Sequence, residues 1–158
     1  MRTELCAFEV VSLLQEKGLT QATAESCTGG GIGYAITAVS GSSSVYLGGV
    51  VSYANEVKNR ILGVPEEVLL SYGAVSEQTA KAMAEGVRSL IGSDVSVSVT
   101  GIAGPASDNT NKPVGLVYIG VSSSFGTLVN EYHFSGNREE IRIQTIEAAL
   151  KLVQSQIK

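Results

Sequence analysis

The sequence predicts an α/β fold, a single three-layer α/β/α domain in which helices cover both faces of a mixed sheet. Helical and strand-like patterns alternate up to about residue 100, which is typical of helices that connect neighbouring strands. Two strand-like segments joined by a short linker, Ser123 to Gly126, then indicate an antiparallel hairpin. The length of 158 residues is that of one domain. The order of the strands stays open.

The first predicted helix covers residues 3–17, where apolar residues recur at every third or fourth position before Gly18. Its predicted buried stripe consists of Leu5, Phe8, Val11 and Leu14, widened by Val10 and Leu13. Further helices are predicted from the same signals at 28–39, 55–62, 66–71, 77–91 and 138–157. Strands are predicted at 19–25, 45–53, from Val95 to Thr100, at 114–122 and at 127–134. Gly48-Gly49 indicates a bulge or a close backbone contact within the second of them.

Composition excludes several classes of protein. The net charge is −4 without a cluster of Lys and Arg, so nucleic acid is not expected as a partner. No apolar run approaches the roughly 18 residues of a membrane span, and the first residues lack a signal-peptide pattern. Two cysteines, Cys6 and Cys27, and one histidine, His133, have no metal-ligand spacing. A cytoplasmic protein is the prediction.

The most informative segment is Ala24-Glu25-Ser26-Cys27-Thr28-Gly29-Gly30-Gly31, where a predicted strand becomes a helix. Such a junction exposes backbone N–H groups that favour negative charge. Ser26 is the leading candidate for a nucleophile, and Cys27 is its rival. If residues 24–27 alternate as in a strand, these two side chains point in opposite directions and only one faces a pocket.

A serine nucleophile needs a base. His133 lies in a strand pattern that directs it to solvent, so a Ser–His–Asp triad is not favoured. A Ser–Lys pair is the other route, provided that the pKa of the lysine falls to roughly 7–8. Lys58, directly after a strand, fits this role. The alternative is an exposed lysine beside Glu56 and Arg60.

Two further sites have a functional and a structural interpretation. Thr100-Gly101-Ile102-Ala103-Gly104-Pro105 follows the most regular strand, so Thr100 could bond a substrate and the loop could hold a phosphate. A tight turn without a ligand is the alternative. Arg138 and Arg142, four residues apart on one helix face, could clamp an anion or could pair with Glu139 and Glu140.

Seven ordered blocks together resemble the C-terminal domain of the competence/damage-inducible CinA family, the nicotinamide mononucleotide deamidases. The resemblance covers nearly the whole chain, residues 1–158, as one amidase domain. The blocks are Glu25-Ser26-Cys27-Thr28-Gly29-Gly30, Tyr53-x-Asn55-x-x-Lys58, Leu62-Gly63-Val64-Pro65, Gly73-Ala74-Val75-Ser76, Thr100-Gly101-Ile102-Ala103-Gly104-Pro105, Lys112-Pro113-Val114-Gly115 and Gly136-Asn137-Arg138.

The resemblance implies hydrolysis of the carboxamide of nicotinamide mononucleotide in pyridine nucleotide salvage, by a homodimer that needs no metal or cofactor. It implies Ser26 as nucleophile and Lys58 as base. Tyr53 and Thr100 would assist through hydrogen bonds, and Asn55 would shape the same wall. The backbone around Cys27, Thr28, Gly29 and Gly30 would stabilise an oxyanion, and Gly101 would contact substrate. One of Arg138 and Arg142 would bind or polarise the substrate, with Arg142 slightly favoured.

The chain departs from the family pattern in the loop after Pro105, where Ala106-Ser107-Asp108-Asn109 replaces an Asp-Gly-Gly-Ser-like run. Gly136-Asn137-Arg138 replaces the commoner Gly-Asp-Arg. The N-terminal domain of many relatives is not found, so a stand-alone or excised form is expected. Two alternatives stay open: a nucleotide-binding or regulatory module without turnover, and a hydrolase that uses Cys27.

Overall fold

A computed structural model describes residues 2–158. It contains six α-helices, five strands and one short 3₁₀ segment in the described part of the chain. The elements are α1 Arg2–Lys17, β1 Gln21–Glu25, α2 Gly31–Thr37, the 3₁₀ segment Ser42–Ser44, β2 Tyr46–Val51, α3 Asn55–Arg60, α4 Glu66–Tyr72, α5 Glu77–Ile91, β3 Val95–Gly101, β4 Leu116–Ser123, β5 Gly126–His133 and α6 Arg138–Ile157.

The five strands form one mixed sheet in the order β2-β1-β3-β4-β5. Strands β2, β1 and β3 are parallel, and β4 and β5 are added antiparallel as a hairpin. Helices α1, α2 and α6 share a core with one face of the sheet, and α5 packs against the other. The predicted α/β class, mixed sheet and hairpin are therefore confirmed.

Strand β3 shows why valines and serines alternate in the central strand. Val95, Val97 and Val99 enter the core shared with α1, α2 and α6. On the opposite face, the hydroxyls of Ser96 and Ser98 donate to carbonyls of α5, at 2.5 and 2.6 Å. A small polar side chain lets a helix lie close to the sheet while its own hydroxyl stays hydrogen-bonded. The alternation thus marks two buried faces.

The predicted bulge in β2 is confirmed. Gln21 pairs with Tyr46, but the next residue of β1 pairs with Gly48, which leaves one extra residue in β2. Gly49 is required beside the bulge, because a Cβ there would lie 2.1 Å from Thr23 Oγ1. Glycine therefore permits the close approach of the two strands.

The buried face of the first helix agrees with the predicted stripe at Val10, Val11 and Leu14 but differs from it near the amino end. Leu5 and Phe8 are each 58% exposed, whereas Cys6 and Ala7 are buried. Helix α1 contacts α6 and α2 rather than lying flat on the sheet, so its buried face is rotated relative to the predicted stripe. The prediction of a buried Leu5 and Phe8 is wrong.

Several predicted boundaries shift where glycines or caps intervene. The helix predicted at 28–39 begins at Gly31, because Gly29 and Gly30 adopt positive φ and form a turn. The strand predicted at 45–53 ends at Val51, so Tyr53 lies in the connection to α3. Ser76 caps the amino end of α5, since its Oγ accepts from the Thr79 amide at 3.1 Å.

Candidate active site

The candidate nucleophile lies at the carboxyl ends of two neighbouring parallel strands. Ser26 follows β1 directly, and its amide donates to the carbonyl of Val99 on β3 at 3.2 Å. This is the edge of an open α/β sheet where ligands commonly bind. A cavity of about 170 Å³ opens here, lined by Ser26, Cys27, Tyr53, Lys58, Ala74, Val75, Thr100, Gly101, Ala103, Asp108 and Arg138.

The cavity has two parts that differ in exposure. We call the buried residues Ser26, Lys58 and Thr100 the floor, and the exposed residues Tyr53, Asp108 and Arg138 the mouth. Small apolar residues form the remaining wall between them. The reactive groups are therefore at the closed end of the cavity.

Lys58 approaches Ser26 across 32 positions of sequence. The Lys58 Nζ atom lies 3.0 Å from Ser26 Oγ, and the lysine is only 1% exposed. Burial lowers the pKa of the Lys58 amine from 10.5 to about 8, against a smaller opposing effect of Cys27. The interpretation of Lys58 as an exposed surface lysine is therefore wrong, and the amine is close to the pKa that a base needs at neutral pH.

Two backbone carbonyls fix the direction of the amine. Lys58 Nζ also donates to the carbonyl oxygens of Ser52 at 2.7 Å and Tyr53 at 3.0 Å. A neutral amine has two N–H bonds and one lone pair, so these two acceptors leave the lone pair for the Ser26 hydroxyl. After proton transfer the ammonium has a third N–H to donate back to Ser26. The arrangement suits an amine that gains and returns a proton.

Cys27 follows the candidate nucleophile Ser26 directly, but its thiol is poorly suited to attack a substrate. Burial raises the pKa of the Cys27 thiol to about 12, so the reactive thiolate is scarce at neutral pH. Cys27 also packs in the core between the sheet and α1, α2 and α6. Ser26 and Cys27 both line the cavity, which contradicts the expectation that only one does. Strand alternation stops at Glu25, since residue 26 begins the turn.

The turn after Ser26 is held by a buried carboxylate, Glu25, to which the sequence motifs assign no role. Glu25 Oε1 accepts from the Thr28 hydroxyl at 2.5 Å and the Ile32 amide at 2.9 Å. Its Oε2 accepts from the Gly33 amide at 3.0 Å. Glu25 thus satisfies amides of the first turn of α2. The sequence offered one sign of this role, an acidic residue within a run of small residues.

The hydrogen bonds of the turn bear on Thr28, Gly29 and Gly30, whose backbone was predicted to stabilise an oxyanion. Thr28 is fully buried and donates to Glu25, while Gly29 donates its amide to the Ser26 carbonyl at 3.0 Å. Thr28, Gly29 and Gly30 do not line the cavity, whereas Cys27 does. Within residues 2–158, the amides of Cys27, Thr28 and Gly30 have no acceptor, and that of Gly29 is occupied. Among these, the Cys27 amide is the one that a cavity residue offers to an oxyanion.

The two arginines of α6 have different surroundings. Arg142 Nε donates to the Cys27 carbonyl and its guanidinium NH2 group to the Thr28 carbonyl, both at 3.1 Å. Arg142 therefore positions the turn and does not line the cavity. Arg138 is at the mouth, where it donates to the Gly104 carbonyl at 2.7 Å and the Tyr53 hydroxyl at 3.2 Å. The slight preference for Arg142 as the substrate-facing arginine is wrong.

The remaining predicted residues divide into those at the cavity and one outside it. Thr100 and Gly101 line it, although the Thr100 hydroxyl donates to the Ala74 carbonyl at 2.7 Å. Tyr53 lines it too, and contributes its carbonyl to Lys58 as well as its ring. Asn55 is exposed and faces a separate hollow beside Glu56 and Leu69. As the first residue of α3, Asn55 is directed away from the wall that it was predicted to shape.

Asp108 is a cavity residue that the sequence did not single out as a contact. It lies in the loop after Pro105, and its Oδ1 accepts from the Thr110 amide at 3.2 Å and from the Thr110 hydroxyl. The side chain is exposed at the mouth. The only available signal was that this loop departs from the family pattern.

A larger hollow of about 480 Å³ lies near the amino ends of β1 and β3, lined by residues such as Lys17, Arg88, Asp94 and Phe125. Its described lining residues include no hydroxyl bonded to an amine. His133 pairs with Glu131 at 2.7 Å on the exposed side of β5. Chemistry rather than volume therefore identifies the smaller cavity as the candidate active site.

Two classes of feature are not found in the described residues. No group of three or more His, Cys, Asp and Glu side chains among residues 2–158 is arranged to hold a metal ion. None of the helices in that range has the length and apolar character needed to cross a bilayer.

Comparisons with known proteins agree on one family. The family model of the CinA C-terminal domain matches residues 4–157. A protein of Desulforudis audaxviator, named for competence-damage induction, is 51% identical over 146 residues, which are 92% of this chain and 35% of that protein. The CinA-like protein of Geobacter sulfurreducens is 51% identical over 141 residues, 89% of this chain and 34% of its own length. The chain thus spans about a third of the length of these curated relatives.

Solved structures match over the whole domain. The competence/damage inducible protein of Agrobacterium tumefaciens is 39% identical with a TM-score of 0.96, covering 100% of this chain and 97% of that one. A CinA superfamily protein of Klebsiella pneumoniae is 29% identical with the same TM-score, covering 98% and 97% of the two chains. The fold described above is therefore shared with these proteins.

Proposed function

The chain belongs to the CinA C-terminal domain family, and from that premise we propose that it hydrolyses the carboxamide of nicotinamide mononucleotide to nicotinate mononucleotide and ammonia. The observation that carries the proposal is the 3.0 Å contact between Lys58 Nζ and Ser26 Oγ at the floor of the cavity. A buried amine of lowered pKa beside a serine hydroxyl is the arrangement of a Ser–Lys hydrolase.

In the first step, neutral Lys58 takes the hydroxyl proton while Ser26 Oγ attacks the amide carbon. A C–O bond forms, and the carbonyl electron pair moves onto the amide oxygen. The unpaired amide of Cys27, a cavity residue, is the donor for this oxyanion, and such a donor is commonly worth about 3–4 kcal/mol. Arg142 and Glu25 hold the turn that presents this donor.

In the second step, the Lys58 ammonium gives its proton to the amide nitrogen and the C–N bond breaks. Ammonia leaves and the acyl group stays on Ser26 as an ester. Water then attacks that ester with Lys58 again acting as base, and the carboxylate product is released while Ser26 regains its proton. One water is consumed for each ammonia formed.

The size of the cavity supports a partial enclosure of the substrate. Its 170 Å³ is below the roughly 300–1,000 Å³ of pockets that enclose drug-sized ligands. The pyridine carboxamide can enter, while the ribose and phosphate extend through the mouth. Arg138 is the cation at that point, and a guanidinium is well suited to a phosphate.

The test is ammonia release from nicotinamide mononucleotide by the wild type and by Ser26→Ala. We expect Ser26→Ala to lose at least about a thousandfold in rate, because the nucleophile is removed. Ser124→Ala, which changes an exposed serine in the β4–β5 turn, is the matched control and should retain the wild-type rate. Equal rates for Ser26→Ala and wild type would refute the Ser26 assignment. Saturable nucleotide binding without ammonia would favour the non-catalytic alternative.

A further inference from the structure

We propose that Asp108 selects substrates whose pyridine ring carries a positive charge, by placing an unpaired carboxylate at the mouth of the cavity. This inference rests on the proposed function, because it concerns the ring of the same substrate. The chemical class selected is an N-alkylated pyridinium carboxamide over its neutral counterparts.

The charges around the cavity leave Asp108 as the free anion. Among residues 2–158, the ion pairs are Arg60 with Glu56 and His133 with Glu131, so no cation pairs with Asp108. The Thr110 amide and hydroxyl both donate to Oδ1, which orients the carboxylate and leaves Oδ2 without a donor. Arg138, the cation of the mouth, is engaged with Gly104 and Tyr53 instead.

The geometry of the substrate directs its charge to the same place. When the carboxamide carbon is at Ser26 on the floor, the ribose on the ring nitrogen must leave through the mouth. The ring nitrogen, which carries the formal positive charge, therefore faces the mouth residues. An exposed carboxylate attracts a cation at short range even in a solvated setting, and the attraction weakens with salt.

The neighbouring aromatic ring adds to this preference. Tyr53 also lines the mouth, with its side chain largely exposed and its hydroxyl bonded to Arg138. The face of a tyrosine ring attracts cations through its quadrupole. A neutral ring receives neither attraction. The mouth therefore distinguishes two rings of nearly the same shape by charge.

The experiment compares nicotinamide mononucleotide with its reduced dihydro form, which keeps the carboxamide, ribose and phosphate but has a neutral ring. Dissociation constants for both are measured in a Ser26→Ala background, where neither is consumed. We expect Asp108→Asn to weaken binding of the cationic form about five- to tenfold and to change binding of the neutral form less than twofold. Asn keeps an oxygen acceptor for Thr110, and Asp108→Glu, which keeps the charge, is the matched control.

The outcomes separate this inference from the proposed function. Equal weakening of both forms by Asp108→Asn, or no weakening of either, overturns the assignment of Asp108. Loss of discrimination in Asp108→Asn with retention in Asp108→Glu supports it, as does a difference that shrinks at high salt. If the wild type releases no ammonia while Asp108→Asn still weakens only the cationic form, the proposed function fails and the role of Asp108 stands.

Discussion

The floor and the mouth of one cavity are built by different means. Ser26, Lys58 and Thr100 on the floor are at most 8% exposed, and each side chain is hydrogen-bonded within the fold. Tyr53, Asp108 and Arg138 at the mouth are exposed and come from three separate connections or helix ends. Packing fixes the floor, whereas the mouth can change without repacking a core. We therefore expect floor variants to alter kcat and mouth variants to alter KM.

The largest effect is expected for Lys58→Arg. Arginine keeps the positive charge but does not lose its proton at any working pH, so the base is lost. General base catalysis commonly contributes about 10²–10⁴-fold, and kcat should fall by that range. The rate of ammonia release measures it, with Lys81→Arg on the exposed side of α5 as the matched control. Activity of Lys58→Arg near that of the wild type would show that Lys58 supplies charge and not a base.

The pH dependence is expected to be the next largest effect. The working form of Lys58 is neutral, and its pKa is lowered to about 8, so activity rises with pH through about 8. Below that value the rate should fall about tenfold for each pH unit, or roughly a hundredfold at pH 6. A kcat profile between pH 6 and 9.5 measures this. A rate that falls as pH rises from 7 to 9 would contradict Lys58 as the base.

Substitution of the two arginines should have different effects, because Arg138 belongs to the mouth and Arg142 supports the turn that follows Ser26 on the floor. Arg138→Ala should raise KM about tenfold with little change in kcat, because it removes a cation from the mouth. Arg142→Ala should lower kcat about tenfold and reduce the free energy of unfolding by about 2 kcal/mol, because two carbonyls of the turn lose a charged donor. Steady-state kinetics and denaturant unfolding measure both.

The two arginine variants are each other's controls, since they remove the same side chain from one helix. The reverse pattern, with a KM effect for Arg142→Ala and a kcat effect for Arg138→Ala, would contradict the roles of Arg138 at the mouth and of Arg142 in the turn.

The smallest effect is expected for Cys27→Ser. The thiol has a pKa raised to about 12 and contributes packing, so its replacement should change kcat less than about threefold. A buried hydroxyl in an apolar site should cost about 1–3 kcal/mol of unfolding free energy. Ammonia release and a thermal melt measure the two quantities. A folded Cys27→Ser protein without activity would instead favour a cysteine nucleophile.

Local patterns were sufficient for most of the fold. Apolar periodicity located every helix and strand, and Gly48-Gly49 located the bulge, because these signals arise within a few residues. The face of α1 was misassigned at Leu5 and Phe8, because both satisfy the same helical spacing as the residues that are buried. Spacing fixes which residues share a face, but the position of a neighbouring helix decides which face is covered.

The sequence identified some residues of the candidate site and did not identify others. Ser26 and Lys58 were named because their chemistry is uncommon, and the fold brings them together. Arg138 and Arg142 could not be told apart, because a spacing of four residues says nothing about their distance from a cavity. Glu25 and Asp108 were missed, since a carboxylate on its own carries no local sign of what it will accept or attract.

One consequence follows from the way Lys58 is held. Its two fixed acceptors are main-chain carbonyls of Ser52 and Tyr53, which exist whatever side chains those positions carry. Substitutions at Tyr53 can therefore alter the entrance while the amine stays directed toward Ser26, so long as the connection to α3 keeps its path. The proposed reaction and its substrate range can then be changed separately, which is useful in the engineering of this cavity.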